Sequence, residues 1–310
     1  MLVSVAVTTY NHEKYIAQCL DGILMQKINF PLEIVLCEDC SQDNTLAICK
    51  EYASKHKNIR LIANNPNQGY HKNFLQVLKE CNGEYVALCE GDDFWIDENK
   101  LQKQIDFLSV NQEYSMCTHG CDVLIEENNA ILSPSQTEFT MEGGKFDNEF
   151  NLLNEWVTQT CAIVYRRSCL DINALEQYAH FYDVHVYYHL LKVAPGYYMP
   201  NMVASVYRKH DSFHNGRDWT YLAKVALKND AELYRYNHED EVARKLLDKT
   251  LKLYENSIEY RIRKTKSIDG LMWNDIRLYL YSKTEIREHC SSLITICKWI
   301  KVLLKVKLNR

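Results

Sequence analysis

In the first third of the chain, short apolar runs alternate with stretches of helical periodicity, and that alternation leaves few folds open. The runs are residues 3–7 (VSVAV), 33–37 (EIVLC), 59–63 (IRLIA) and 85–89 (YVALC). Each is rich in β-branched or aromatic residues and bounded by polar or glycine-containing turns, as buried strands are. Between them Tyr15, Ile16, Cys19, Leu20, Ile23 and Leu24 recur at helical spacing, as do Leu46, Ile48, Cys49 and Tyr52. A third helix is predicted over residues 70–80, after the turn NNPNQG. Asn11 is the expected N-cap of the first helix, and Ser41, Asp43 or Asn44 of the second. The pattern predicts an α/β fold, a mostly parallel sheet flanked by helices.

Sheets of this kind bind ligands beyond the carboxyl ends of their strands, and polar residues gather there: Thr8 and Tyr10 after the first run, Asp39 after the second, and Glu90, Asp92 and Asp93 after the fourth. The fourth end, in GEYVALCEGDDFW, is the most demanding. Carboxylates this close repel one another and are costly to desolvate. Either they form an acidic loop left in water, or a divalent cation with a preference for oxygen ligands neutralises them. Neither G-x-G-x-x-G after the first strand nor G-x-x-x-x-G-K-[ST] is present, so a glycine loop is not expected to hold phosphate.

The remaining composition narrows the field. At 310 residues the chain suffices for one large α/β domain and an appendage, and a net charge of −5 provides no basic field for nucleic acid. With only 10 Gly and 5 Pro, long flexible linkers are not expected. The opening MLVSVAVTTYN lacks a basic stretch followed by a long apolar one, so no leader is expected and a cytoplasmic setting is. The 12 cysteines are then expected as reduced thiols; Cys37 and Cys40 form a C-x-x-C without a second pair at zinc spacing.

Further along, residues 100–107 read as a helix, 116–125 as a strand returning to the sheet, and 126–150 as a long loop or hairpin. Residues 158–165 (TQTCAIVY) read as a strand, after which Arg166, Arg167 and Ser168 open a helix. In 180–191 (HFYDVHVYYHLL), Asp183 falls in the first turn of an aromatic-rich helix, where an acid also serves as a cap or a partner of the helix dipole. Residues 198–207 close the core, followed by Arg208, Lys209 and His210. From about residue 218 the chain turns helical and charged. Residues 293–310 mix apolar and lysine positions; they suit an amphipathic helix on an anionic membrane surface, or equally a docking helix with its lysines in water.

The segments VSVAVTTYNHEKYIAQCLDGILMQ, EIVLCEDCSQDNT, NQGYHKNF and GEYVALCEGDDFW, in this order and spacing, resemble the N-terminal half of a family 2 glycosyltransferase with the GT-A fold, of the bacterial surface-polysaccharide type. The resemblance is close over about the first 110 residues and looser over the next hundred. It implies a GT-A domain over 1–215 (a nucleotide-binding half, 1–110, and an acceptor-side half, 111–215) and a helical region over 216–310. It implies nucleotide contacts from Thr8, Tyr10, Asp39, Lys72 and Asp92; a Mn2+ or Mg2+ ion at Asp92, Asp93 and His210, the last from a Tyr207-Arg208-x-His210 pattern; and Asp183 as catalytic base. The implied reaction is inverting transfer of a sugar from a nucleotide-sugar, UDP by default, to a glycan or lipid-linked acceptor, at the inner face of the plasma membrane if 293–310 binds it. Two competing readings are a non-catalytic nucleotide-binding subunit of a polysaccharide-synthesis complex and a metal-dependent phosphotransferase or hydrolase; the second lacks another dense acidic cluster.

Overall fold

The structure is a computed structural model that describes residues 1–136, 141–154, 156–210, 219–265, 274–276, 278, 279 and 282. Its contacts divide the chain into two units, Met1–His210 and Asp211–Arg310, against the expected division at 215.

The first unit begins with β1 (Val3–Thr9), α1 (Ile16–Leu24), β2 (Leu32–Glu38), α2 (Thr45–Lys55), β3 (Ile59–Ala63), α3 (Tyr70–Glu80) and β4 (Tyr85–Leu88). It continues through β5 (Phe94–Trp95), α4 (Lys100–Val110), β6 (Met116–Ile125), β7 (Ala130–Leu132), β8 (Gly144–Phe146), β9 (Val164–Arg166), α5 (Ile172–Glu176), α6 (Asp183–Val193) and β10 (Gly196–Lys209). The sheet order is β3-β2-β1-β4-β9-β6-β10-β5, with β7 on β6 and β8 on β10. From β3 to β4 every pairing is parallel. Beyond β4 the sheet is mixed: β9 runs antiparallel to β4 and β6, while β10 runs parallel to β6. β1 is buried along its whole length between β2 and β4, which is why its residues are apolar or small and carry no charge, on both faces. Val5, Val7, Ile16, Leu20, Ile34, Leu36, Ala87 and Leu101 belong to the core that holds this half together.

Three local expectations change. Asn11 does not cap α1. It sits at φ 55°, in the left-handed region that Asn tolerates. Its N–H donates to Ser41 Oγ and its Oδ1 accepts from the Gln42 N–H, tying the β1–α1 loop to the β2–α2 loop. The helix starts later, with the N–H groups of Tyr15 and Ile16 both directed at the His12 carbonyl. Residues 158–165 are not one strand either. Thr160–Ala162 form a 3-10 turn, because Trp95 Nε1 and Gln104 Nε2 donate to the Cys161 and Ala162 carbonyls and take acceptors that a strand ladder would use. Finally, Arg166 ends β9 rather than opening a helix; its buried guanidinium bonds the Tyr85 hydroxyl and the carbonyls of Tyr114 and Asn111. Only a 3-10 turn, Arg167–Cys169, follows.

The second unit contains α7 (Trp219–Tyr236) and α8 (Glu241–Thr265). Leu227, Ala231, Leu247, Leu251, Tyr254, Ile258 and Ile262 form its apolar core. Asp240 caps α8, its Oδ1 accepting from the Val242 and Ala243 N–H groups. No helix among the described residues is long and apolar enough to cross a membrane. The segment 293–310 lies outside the described residues. The cysteines of the described residues are free thiols, most of them buried.

Candidate active site

The site is built on the turn that follows β4. Gly91 N–H donates to the Thr8 carbonyl at 2.8 Å, and Asp93 N–H to the Glu90 carbonyl at 3.0 Å, so the turn is clamped to the end of β1. A Cβ on residue 91 would stand 2.7 Å from Thr9 Oγ1 and 3.0 Å from His12 Nδ1. Glycine is what allows the β1–α1 loop and the acidic turn to approach this closely.

Three side chains converge there. His210 Nε2 lies 2.9 Å and His12 Nε2 3.8 Å from the same oxygen, Asp92 Oδ2. One ligand atom from each of the three falls within 4.8 Å of the others. Burial alone would raise the Asp92 carboxyl, but the His210 hydrogen bond and the two imidazoles hold it below its ordinary value. Burial pushes His12 down, against the attraction of Asp92. Arg208 braces the assembly from β10. Its Nε donates to the Asp92 carbonyl at 2.8 Å, an Nη to Gln18 Oε1 at 2.7 Å, and the guanidinium lies over the rings of Tyr15 and Phe94. Tyr15 in turn donates to Glu126 Oε2.

Asp93, expected to share the metal with Asp92, has one carboxylate oxygen engaged by β10, while its Oδ2 is buried without a protein partner. It is 2% exposed, and its Oδ1 accepts the Arg208 N–H at 2.9 Å. Burial, with Cys161 and Asp92 beside it, pushes this carboxyl well up. His12, which also approaches Asp92, was not foreseen. A single His after a strand end has no signal in sequence beyond its position in the loop.

Glu90 faces both ends of the site. Tyr70 hydroxyl donates to its Oε1 at 3.0 Å, and burial, then Asp92 and Asp183, push its carboxyl up to about 8. Asp183 is the first residue of α6, with Tyr182 preceding it as the N-cap. Burial pushes Asp183 up to about 6, partly offset by the Val184 N–H on its Oδ1 at 2.9 Å. The chain leading into α6 is locked to the start of α3: Tyr70 and His71 pack on the Tyr182 ring, Phe74 stacks on Phe181, and His71 Nδ1 bonds the Phe181 carbonyl.

The other expected residues are spread along the strand ends. Thr8 is buried and contributes its carbonyl to the turn. Tyr10 is exposed at the end of β1, and Lys72 is exposed in the first turn of α3. Asp39 is 2% exposed and organises the loop before α3: Oδ1 accepts from Gln68 N–H at 2.8 Å and Asn64 Nδ2 at 3.1 Å, and Oδ2 from Gly69 N–H at 2.8 Å. Gly69 there takes φ +81°. The donors at Asp92 could hold a divalent cation: a carboxylate and two imidazoles converge, and glycine at 91 leaves room beside them.

An α/β sheet whose parallel strand ends carry clustered acids and imidazoles is the arrangement of a ligand-binding α/β domain. The model of glycosyl transferase family 2 matches residues 4–171, and the chain belongs to that family. It is 38% identical over 167 residues to an uncharacterised protein of Mycobacterium tuberculosis, covering 53% of this chain and 47% of that one. It is 35% identical over 130 residues to the poly(ribitol-phosphate) beta-N-acetylglucosaminyltransferase TarS of Staphylococcus aureus, covering 40% of this chain but 20% of TarS. The chain thus spans about half the length, or less, of these curated relatives. Among solved structures, residues 1–349 of TarS in complex with UDP-GlcNAc superpose with a TM-score of 0.65 at 19% identity, over 100% of this chain and 91% of that one. The mannosyltransferase PcManGT of Pyrobaculum calidifontis, in complex with GDP-Man and Mn2+, gives a TM-score of 0.51 at 16% identity, over 96% and 86%. These likenesses show the GT-A fold.

Proposed function

We propose that this chain is an inverting, metal-dependent glycosyltransferase that moves a sugar from a UDP-sugar to a hydroxyl of a glycan or lipid-linked acceptor in surface-polysaccharide synthesis. The observation that carries the reading is Glu90. One carboxyl feels both Asp92, in the imidazole cluster, and Asp183, at the start of α6. On this reading Asp92 marks the leaving-group end and Asp183 the proton-accepting end, with Glu90 between them.

Asp92 and His210, with His12 beside them, would hold Mn2+ or Mg2+, which when bound offsets charge on a departing nucleoside diphosphate. Thr8, Tyr10, Lys72 and the loop shaped by Asp39 line the nucleotide side. With its carboxyl at about 6, Asp183 is largely ionised at neutral pH yet basic enough to take a proton from an acceptor hydroxyl. The acceptor oxygen attacks the anomeric carbon from the face opposite the diphosphate, so a single displacement inverts the centre and no enzyme nucleophile is required. Glu90, pushed up to about 8, is mostly protonated at neutral pH. It therefore separates Asp183 from Asp92 without adding a third charge.

UDP is favoured because the sequence relative TarS is also the structural neighbour whose complex holds UDP-GlcNAc; GDP- and dTDP-sugars are the alternatives to test. A thermal-shift screen of UDP, GDP and dTDP with and without Mn2+ tests the reading. Stabilisation by UDP that requires the cation, together with cation-dependent UDP release from a UDP-sugar, is the expected result. No response to any nucleoside diphosphate with either Mn2+ or Mg2+ refutes it.

A further inference from the structure

We propose that His12 is a ligand of the divalent cation, and that the set His12, Asp92 and His210 selects a transition ion such as Mn2+ or Co2+ over Mg2+. The inference rests on the metal-dependent reading above and adds which side chains hold the ion and which ion they prefer.

The geometry is specific to this loop. Both imidazoles address one carboxylate oxygen through Nε2, at 2.9 Å for His210 and 3.8 Å for His12, and their rings stand 6.2 Å apart at 86°. Neither ring is bathed in solvent, the His12 side chain being 17% and the His210 side chain 8% exposed. Nε2 is the nitrogen that His12 turns toward Asp92, and Nδ1, on the other side of the ring, is buried without a protein partner. The residue is nonetheless held firmly. Its N–H donates to Thr45 Oγ1 at 2.7 Å, and that hydroxyl donates to Asp43 Oδ1 at 2.5 Å. Gly91 leaves open the space beside the ring that any side chain would occupy. The loop, the first residue of α2 and the glycine together hold the imidazole beside Asp92.

The donor set then decides the ion. Mg2+ prefers oxygen ligands and retains its waters, whereas imidazole nitrogen favours ions further along the transition series. Two imidazoles and one carboxylate would supply three protein donors to such an ion. Because His12 follows Tyr10 in the β1–α1 loop, a cation bound there would join the nucleotide-side loop to the acidic turn and to the end of β10.

The test uses the full chain, with Mn2+, Co2+ and Mg2+ as the probes and no nucleotide. Titration followed by Mn2+ paramagnetic resonance gives the affinity, and electron spin-echo modulation counts coordinated imidazole nitrogens. The wild type is expected to show two imidazoles and His12→Gln one, with Mn2+ affinity weaker by about tenfold or more, since even outer-shell partners of metal ligands are worth that much. The preference for Mn2+ over Mg2+ should shrink in the same variant. His12→Ala repeats the measurement, and metal-free melting temperatures equal to wild type exclude misfolding. One imidazole in the wild type, or equal Mn2+ affinity in wild type and His12→Gln, overturns the inference. If that happens while UDP still stabilises the protein with a cation, the proposed function stands and only the role of His12 falls. Two imidazoles on Mn2+ without any nucleoside diphosphate binding would support the metal site and refute the transferase reading.

Discussion

Replacing Asp183 with Asn separates what this carboxyl does for folding from what it does for chemistry. In the folded chain burial raises it from 3.8 to about 6. At about 1.4 kcal/mol per pH unit, that rise is worth roughly 3 kcal/mol as an upper bound, because the side chain keeps some contact with water. The sign follows from the direction. A raised carboxyl binds its proton more tightly folded than unfolded, so its contribution is favourable below pH 4 and is lost as pH rises through 6. Asn is neutral at every pH, and its Oδ1 can still accept the Val184 N–H. Asp183→Asn should therefore match the wild type in stability near pH 4 and exceed it by up to about 3 kcal/mol near pH 8. Urea denaturation at a series of pH values measures the difference. In the same protein, sugar transfer should be abolished, while UDP with Mn2+ still raises the melting temperature. The wild-type rate should fall tenfold per pH unit below about 6, where the base becomes protonated. A variant no more stable than wild type at pH 8 would refute the buried-acid argument. Retained transfer, or lost UDP binding, would refute the assignment of Asp183 as the base.

The same geometry makes three further predictions. Asp93→Asn keeps an acceptor for the Arg208 N–H and replaces a carboxyl already pushed well up, so stability and Mn2+ affinity should stay near wild type, whereas Asp92→Asn should abolish Mn2+ binding; calorimetric titration compares them. Gly91→Ala drives a Cβ into Thr9 and His12, which should cost about 1–3 kcal/mol in denaturant melts and weaken Mn2+ binding. Asp39→Ala leaves the Gln68 N–H without its acceptor and the Gly69 N–H with Asn67 Oδ1 alone, which should cost about 1–3 kcal/mol and speed amide exchange most at Gln68.

Much of the fold was legible because its signals are local. The helical spacing after NNPNQG matches α3, Tyr70–Glu80, and the apolar runs match β1 to β4, since burial on both faces of a parallel strand leaves a continuous run. Signals that depend on distant partners were not legible. Residues 158–165 look like a strand, but Trp95 and Gln104 take their carbonyls. Asn11 looks like a cap, but Ser41 and Gln42 draw it into another loop.

The acidic turn divides in the same way. Sequence alone determined that a buried strand ends in Glu90, Asp92 and Asp93, and hence that something must answer for their charge. Tertiary structure decided what answers for each. The carboxyls of Asp92 and Asp93 take different partners, and β10, 115 residues on, supplies the amide that bonds Asp93. The loop after β1 and the end of β10 bring His12 and His210 to Asp92. Tyr70 and α6 bring a phenol and Asp183 to Glu90. Strand periodicity fixes where a side chain leaves the sheet, but only packing between distant segments fixes what it meets.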